Sequence, residues 1–94
     1  MDIIGINLID DFIARYSDAE KPLKRWITVT QAADWKTTHD VRSTFNTASF
    51  VPPHTVFNIK GNDYRLISEI DYEEALVVVT HVLTHEEYDR DKWK

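Results

Sequence analysis

The sequence predicts an α+β fold, with two N-terminal helices packed on a mainly antiparallel sheet in a single domain over residues 1–94. Three observations carry this expectation. Apolar residues recur at helical spacing between Leu8 and Thr30, and from His54 onward the pattern changes to two-residue alternation. Between the two regimes Pro52-Pro53 stops any helix and leads into strand. Helices before strands, with no repeat or linker, fit two layers around one core.

Ile3 and Ile4, followed by Gly5, suggest a short opening strand, and Asn7 is a suitable N-cap for the first helix. Leu8, Ile9, Phe12, Ile13 and Tyr16 then form one apolar stripe, with Asp10, Asp11 and Arg15 away from it. Ser17 or Asp18 can cap a second helix in which Pro22 occupies the first turn and Leu23, Trp26, Ile27 and Thr30 line one face. Ile27-Thr28-Val29-Thr30 suits a strand by local propensity, but the spacing from Leu23 favours helix. Trp35 to Thr38 reads as a connector, with Thr38 capping a short helical piece through Val41 and Phe45. Strands follow near Thr55 to Lys60, Tyr64 to Ile70 and Leu76 to Leu83, with turns at Lys60 to Asp63 and Asp71 to Glu74.

A chain of this length buries roughly two-thirds of its unfolded surface, so a site here is a shallow groove suited to a polymer. No cysteine is present, which excludes disulfides, thiolate zinc sites and a cysteine nucleophile. No apolar run reaches the roughly 20 residues of a membrane span and no secretory signal opens the chain, so it reads as cytoplasmic. The net charge of −5 opposes a free-standing nucleic-acid binder but not an enzyme with one basic patch. The acids concentrate between Glu69 and Asp91, a segregated field.

The run from Val56 to Ile67 is a hairpin with a cationic outer face. Arg65 can offer a phosphate two parallel hydrogen bonds, or it can pair with Glu69 on the same strand face. Asn58 and Lys60, two residues apart, lie on one strand face and can reach the same phosphate, although Lys60 can equally decorate the turn. His85 and Tyr88 follow the last strand, where a helical turn brings both toward the sheet. Imidazole titrates near neutrality and a phenol can stack on a base, but a Thr-His pair also serves as a plain cap. Asp89 can orient His85 or Lys92, or be a solvated acid. Trp35 suits the core, while Lys36 beside it can touch RNA. His81 and His85 have the spacing of a helical metal pair, but on a strand that gap is roughly 13 Å and no third ligand is evident.

The segment Phe57 to Leu66, the Ala33-Asp34-Trp35-Lys36 block before it and His85-Glu86-Glu87-Tyr88-Asp89 after it resemble HigB-type toxins of bacterial toxin–antitoxin pairs, in the RelE-like group of messenger-RNA endonucleases. Met1 to Ile4 and Asp18 to Leu23 also fit. The resemblance implies metal-independent cleavage of messenger RNA by attack of the ribose 2′-hydroxyl, on the ribosome, with no cofactor. It implies a HigA-like antitoxin with a helix-turn-helix domain. It also implies Arg65 as the strand arginine, Lys60 as a strand lysine, His85 in place of a C-terminal arginine and Tyr88 as the matching tyrosine. Asn58, Lys36 and Lys92 are the expected RNA contacts. Asn58 is uncharged where the group has lysine, and with the acidic balance this motivates an alternative: an inactive member of the fold that serves as a partner-binding module.

Overall fold

A computed structural model describes residues 1–94. The elements are β1 (Asp2–Ile4), α1 (Ile6–Arg15), a 3-10 turn (Ser17–Ala19), α2 (Glu20–Ala32), α3 (Thr38–Thr44), β2 (Ser49–Val51), β3 (His54–Ile59), β4 (Tyr64–Asp71), β5 (Leu76–Thr84) and α4 (His85–Asp89). The five strands form one sheet in the order β1-β5-β4-β3-β2. β1 runs parallel to β5 and every other pair is antiparallel, so the expected α+β class and mainly antiparallel sheet are found.

The ambiguous run from Ile27 to Thr30 is helical, inside α2. Tertiary burial decides against its β propensity: Leu23, Trp26 and Thr30 are all sealed in the interior at helical spacing. They join Ile9 and Phe12 of α1 and Phe57, Ile59, Leu66, Val77 and Val79 of the sheet in the main core. Trp35 belongs there too, its indole N–H donating to Thr44 Oγ1 at 3.0 Å.

Three expected caps are corrected. Helix α1 begins at Ile6, before Asn7, and its N-cap is Gly5 at φ +100°, with no side-chain cap. Only glycine suits that point, because a Cβ there would stand 2.6 Å from the Val79 carbonyl oxygen. Neither Ser17 nor Asp18 caps α2; the 3-10 turn leads directly into it. Thr37, not Thr38, caps α3, in a reciprocal box with Asp40, whose carboxyl is held below its ordinary pKa chiefly by the Lys36 backbone N–H.

The strands are displaced slightly from expectation. β2 precedes the two prolines and was not foreseen, since three residues are too few to show a period. β3 ends at Ile59, and Lys60 lies in the turn at φ +52°. Between β4 and β5 the pairing steps from Ile67↔His81 to Ser68↔Val79, leaving Thr80 as an extra residue. The bulge resets the alternation of β5. Val77 and Val79 face the main core before it, and Leu83 beyond it lies opposite Arg65 on the reverse face.

Candidate functional site

The reverse face of the sheet carries a second, smaller apolar cluster of Val56, Ile67 and Trp93, with Val51, Leu83 and Tyr88 against it. Arg65 pairs across the strands with Asn58 on one side and Leu83 on the other, so these three side chains form one row on that face. The β3–β4 turn and α4 close the row at one end.

Helix α4 is held at its start by Thr84, whose hydroxyl accepts from the Glu87 N–H while the Glu87 carboxylate accepts from the Thr84 N–H. The His85 N–H donates to the Asp63 carbonyl at 2.9 Å, which ties the helix to the hairpin turn. A five-residue helix with no buried residue cannot stand alone. Its anchor is Trp93, 5% exposed, which stacks on Tyr88 at 5.2 Å and donates its indole N–H to the Tyr88 carbonyl. His54, a half-buried strand residue, packs edge-on against the same indole.

These supports bring Arg65, His85 and Tyr88 together. An Arg65 guanidinium nitrogen, Nη2, stands 3.2 Å from His85 Nδ1, and the guanidinium carbon lies 5.2 Å from the centre of the Tyr88 ring. The imidazole Nε2 is 3.1 Å from Asp89 Oδ2, which makes Asp89 the partner of His85. Between His85 and Arg65, His85 is the accessible one, its side chain 52% exposed. Arg65 is only 7% exposed, and its Nη1 donates to the carbonyls of Asn62, at 2.8 Å, and Tyr64, at 3.1 Å. It forms no ion pair with Glu69.

Two expected members lie elsewhere. Lys60 does not share a strand face with Asn58; its ammonium reaches Asp18 at 2.7 Å and Asp63 at 3.5 Å. Tyr64 donates its hydroxyl to the other Asp18 oxygen at 2.6 Å. The Lys60 ammonium, with the Tyr64 hydroxyl, pulls the Asp18 carboxyl below its ordinary pKa, and Asp18 in turn raises Lys60. Lys36 is exposed and paired with Asp34 at 3.1 Å. Lys92 lines a small cleft of about 170 Å³ on the reverse side with His81, Leu83 and Trp93. Asn58, half-buried, keeps its place opposite Arg65.

Sequence reasoning passed over Trp93, His54 and the Asn62 carbonyl. The last accepts from Arg65 and stands 3.1 Å from His85 Nδ1. No residue type signals a backbone acceptor; only the turn geometry does. Chemically, the patch offers a half-exposed imidazole fixed by a carboxylate, a guanidinium beside it and an aromatic face. Such groups move protons and stabilise anionic charge. No group of three His, Cys, Asp or Glu side chains is placed to hold a metal ion, and no helix is long and apolar enough to cross a membrane.

The chain is 35% identical over 40 residues to the mRNA interferase toxin HigB of Escherichia coli strain K12, a match covering 43% of this chain and 38% of that protein. The mRNA interferases HigB of Escherichia coli O157:H7 and of Shigella flexneri match to the same extent. The shared segment is therefore well under half of each relative. A family model for the RelE-like toxic component of a toxin–antitoxin system matches far more of the chain, residues 19–91. That span takes in α2, β2 to β5 and α4 with the whole Arg65–His85–Tyr88 cluster, and the chain belongs to this HigB toxin family.

Proposed function

We propose that this protein is an endoribonuclease toxin that cleaves messenger RNA on the ribosome and so inhibits translation. The observation that carries the reading is the meeting of Arg65, His85 and Tyr88 on one patch at the end of the β3–β4 hairpin. In the reaction, the ribose 2′-hydroxyl attacks the adjacent phosphorus and the bond to the 5′-oxygen breaks. The products are a 2′,3′-cyclic phosphate and a free 5′-hydroxyl. His85, held by Asp89, exchanges the proton; Arg65 offsets charge on the non-bridging oxygens; Tyr88 stacks on a base. No step calls for a metal or cofactor.

Family membership brings with it an antitoxin, and the reading makes that partner a HigA-like protein with a helix-turn-helix domain. The work is then cytoplasmic, where messages are translated. Asn58 and Lys92, both on the reverse side of the sheet, are the proposed RNA contacts nearest the cluster. Lys36 is a contact with RNA or the ribosome from the α2–α3 connector.

A second reading is an inactive member of the fold that binds its partner and cuts nothing. The burial of Arg65 against turn carbonyls favours it, because its donors are already engaged. Translating ribosomes with a reporter message separate the two. Defined cuts by the purified protein, lost in His85→Ala with folding intact, support the nuclease. Intact message under conditions where an E. coli HigB control cuts supports the binder.

A further inference from the structure

A groove of about 550 Å³ runs along the opposite side of β3 from β4, between α2 and the segment joining α3 to β2. It exists because β2 pairs only with His54 to Val56, which leaves the edge of β3 open from Phe57 to Ile59. Its lining includes Lys21, Arg25 and Lys60, and no aspartate or glutamate. In a chain of net charge −5 that segregation is not a sample of the average surface.

The three cations differ in state. Lys60 is neutralised by Asp18. Lys21 and Arg25 have no carboxylate within ion-pairing distance, although the neighbouring Lys24 is paired with Glu20. They stand four residues apart on α2, where like charges repel and a shared anion relieves the repulsion. Polar groups, the Asn46 and Asn58 amides among them, line the groove as well. Asn58 is also the residue directly opposite Arg65 in the β3–β4 register. The groove therefore reaches the strand position next to the Arg65 cluster.

We infer that this groove holds the phosphodiester backbone of the substrate's single RNA strand, with Lys21 and Arg25 on successive phosphates and Asn58 where the strand passes toward Arg65. A cationic channel that tracks a backbone is how single strands are held without sequence preference. The direction of the strand rests on the reading of the Arg65 cluster as the cleavage centre; the presence of a polyanion site does not.

The test uses a labelled 2′-O-methyl RNA of about 12 nucleotides, which lacks the attacking hydroxyl and reads binding without cleavage. Fluorescence anisotropy across a salt series is measured for the unaltered chain, K21Q/R25Q and K21E/R25E, with K24Q as a control on the same helix and circular dichroism to verify folding. Two lost phosphate contacts make the slope of log affinity against log salt shallower by about 1.4 in K21Q/R25Q. K21E/R25E loses about tenfold or more at low salt, and K24Q keeps the slope. Unchanged affinity and slope in both double variants overturn the groove and leave the cleavage reading untouched. Salt-dependent binding through these residues by a chain that cuts no message keeps the groove and removes only the cleavage. The same variants are compared on empty ribosomes and with the antitoxin. A defect confined to ribosomes assigns the phosphates to ribosomal RNA, and one confined to the antitoxin assigns the groove to an acidic protein segment; either overturns the substrate-strand assignment.

Discussion

His85 Nδ1 lies 3.2 Å from Nη2 of Arg65, and 3.1 Å on another side from the Asn62 carbonyl oxygen. A guanidinium can only donate and a carbonyl can only accept, so one ring nitrogen cannot satisfy both. A ring with no proton on Nδ1 accepts there from Arg65, whereas a ring with a proton on Nδ1 donates to the Asn62 carbonyl. The state of that one nitrogen decides which of the two neighbours His85 binds.

His85→Gln is expected to leave the fold intact, since the side chain is half exposed, and to slow cleavage about 10²- to 10⁴-fold. Arg65→Gln lowers it similarly, and the double variant is little worse than either, because the two act as one unit. Single-turnover cleavage of a programmed ribosome measures this. Full additivity would show that they act separately.

Trp93→Ala removes the anchor of α4. Loss of a buried tryptophan is worth about 3 kcal/mol, taken here mostly from the local opening of residues 85–91. Hydrogen exchange should show those amides deprotected while β3 and β4 stay closed. Cleavage should fall with them, although the Trp93 indole N–H bonds only the Tyr88 carbonyl.

Gly5→Ala should destabilise the whole domain by at least about 2 kcal/mol, from a positive φ and a Cβ driven against the Val79 carbonyl. Urea unfolding with an unchanged slope and a lowered midpoint is the expected result.

Lys60→Met tests the Asp18 pair through pH. Asp18 is depressed in the folded state, so its contribution is present above its ordinary pKa of 3.8 and disappears as pH falls through the lower folded value. Lys60 is raised, so its contribution is full below 10.5 and is lost as pH climbs past the folded value. The difference in melting temperature between the two proteins should be small, steady near neutrality, and shrink at both extremes. Cleavage should fall far less than in His85→Gln, because the ammonium bonds Asp18 and not the Arg65 patch, and any loss should come through the groove that Lys60 lines.

What the residues disclosed follows from how periodic each signal is. Long stripes such as Leu8 to Tyr16 and Leu23 to Thr30 declared helices even through a β-branched stretch, because burial enforces a repeat. The β3–β4 hairpin was marked by alternation and a Gly61-Asn62 turn. Helix ends were not legible: Gly5, Ala19 and Thr37 took the cap positions expected of residues one or two places away, since a shift of that size leaves the stripe unchanged. At the candidate site, the spacing placed His85 and Tyr88 on one short helix. It could not show that Lys60 leaves the strand at Ile59, nor that a tryptophan five residues beyond Tyr88 folds back onto it.

The β4–β5 turn, with Asp71, Glu73 and Glu74, lies at the far end of β4 from the turn that holds Lys60. Eight residues of extended chain separate the two by roughly 25 Å. The β4–β5 turn, residues 71–75, carries three carboxylates and no cation, while the groove beside Ile59 carries the unpaired Lys21 and Arg25 and no carboxylate. An approaching polyanion is repelled at the first place and drawn to the second, and added salt weakens both effects.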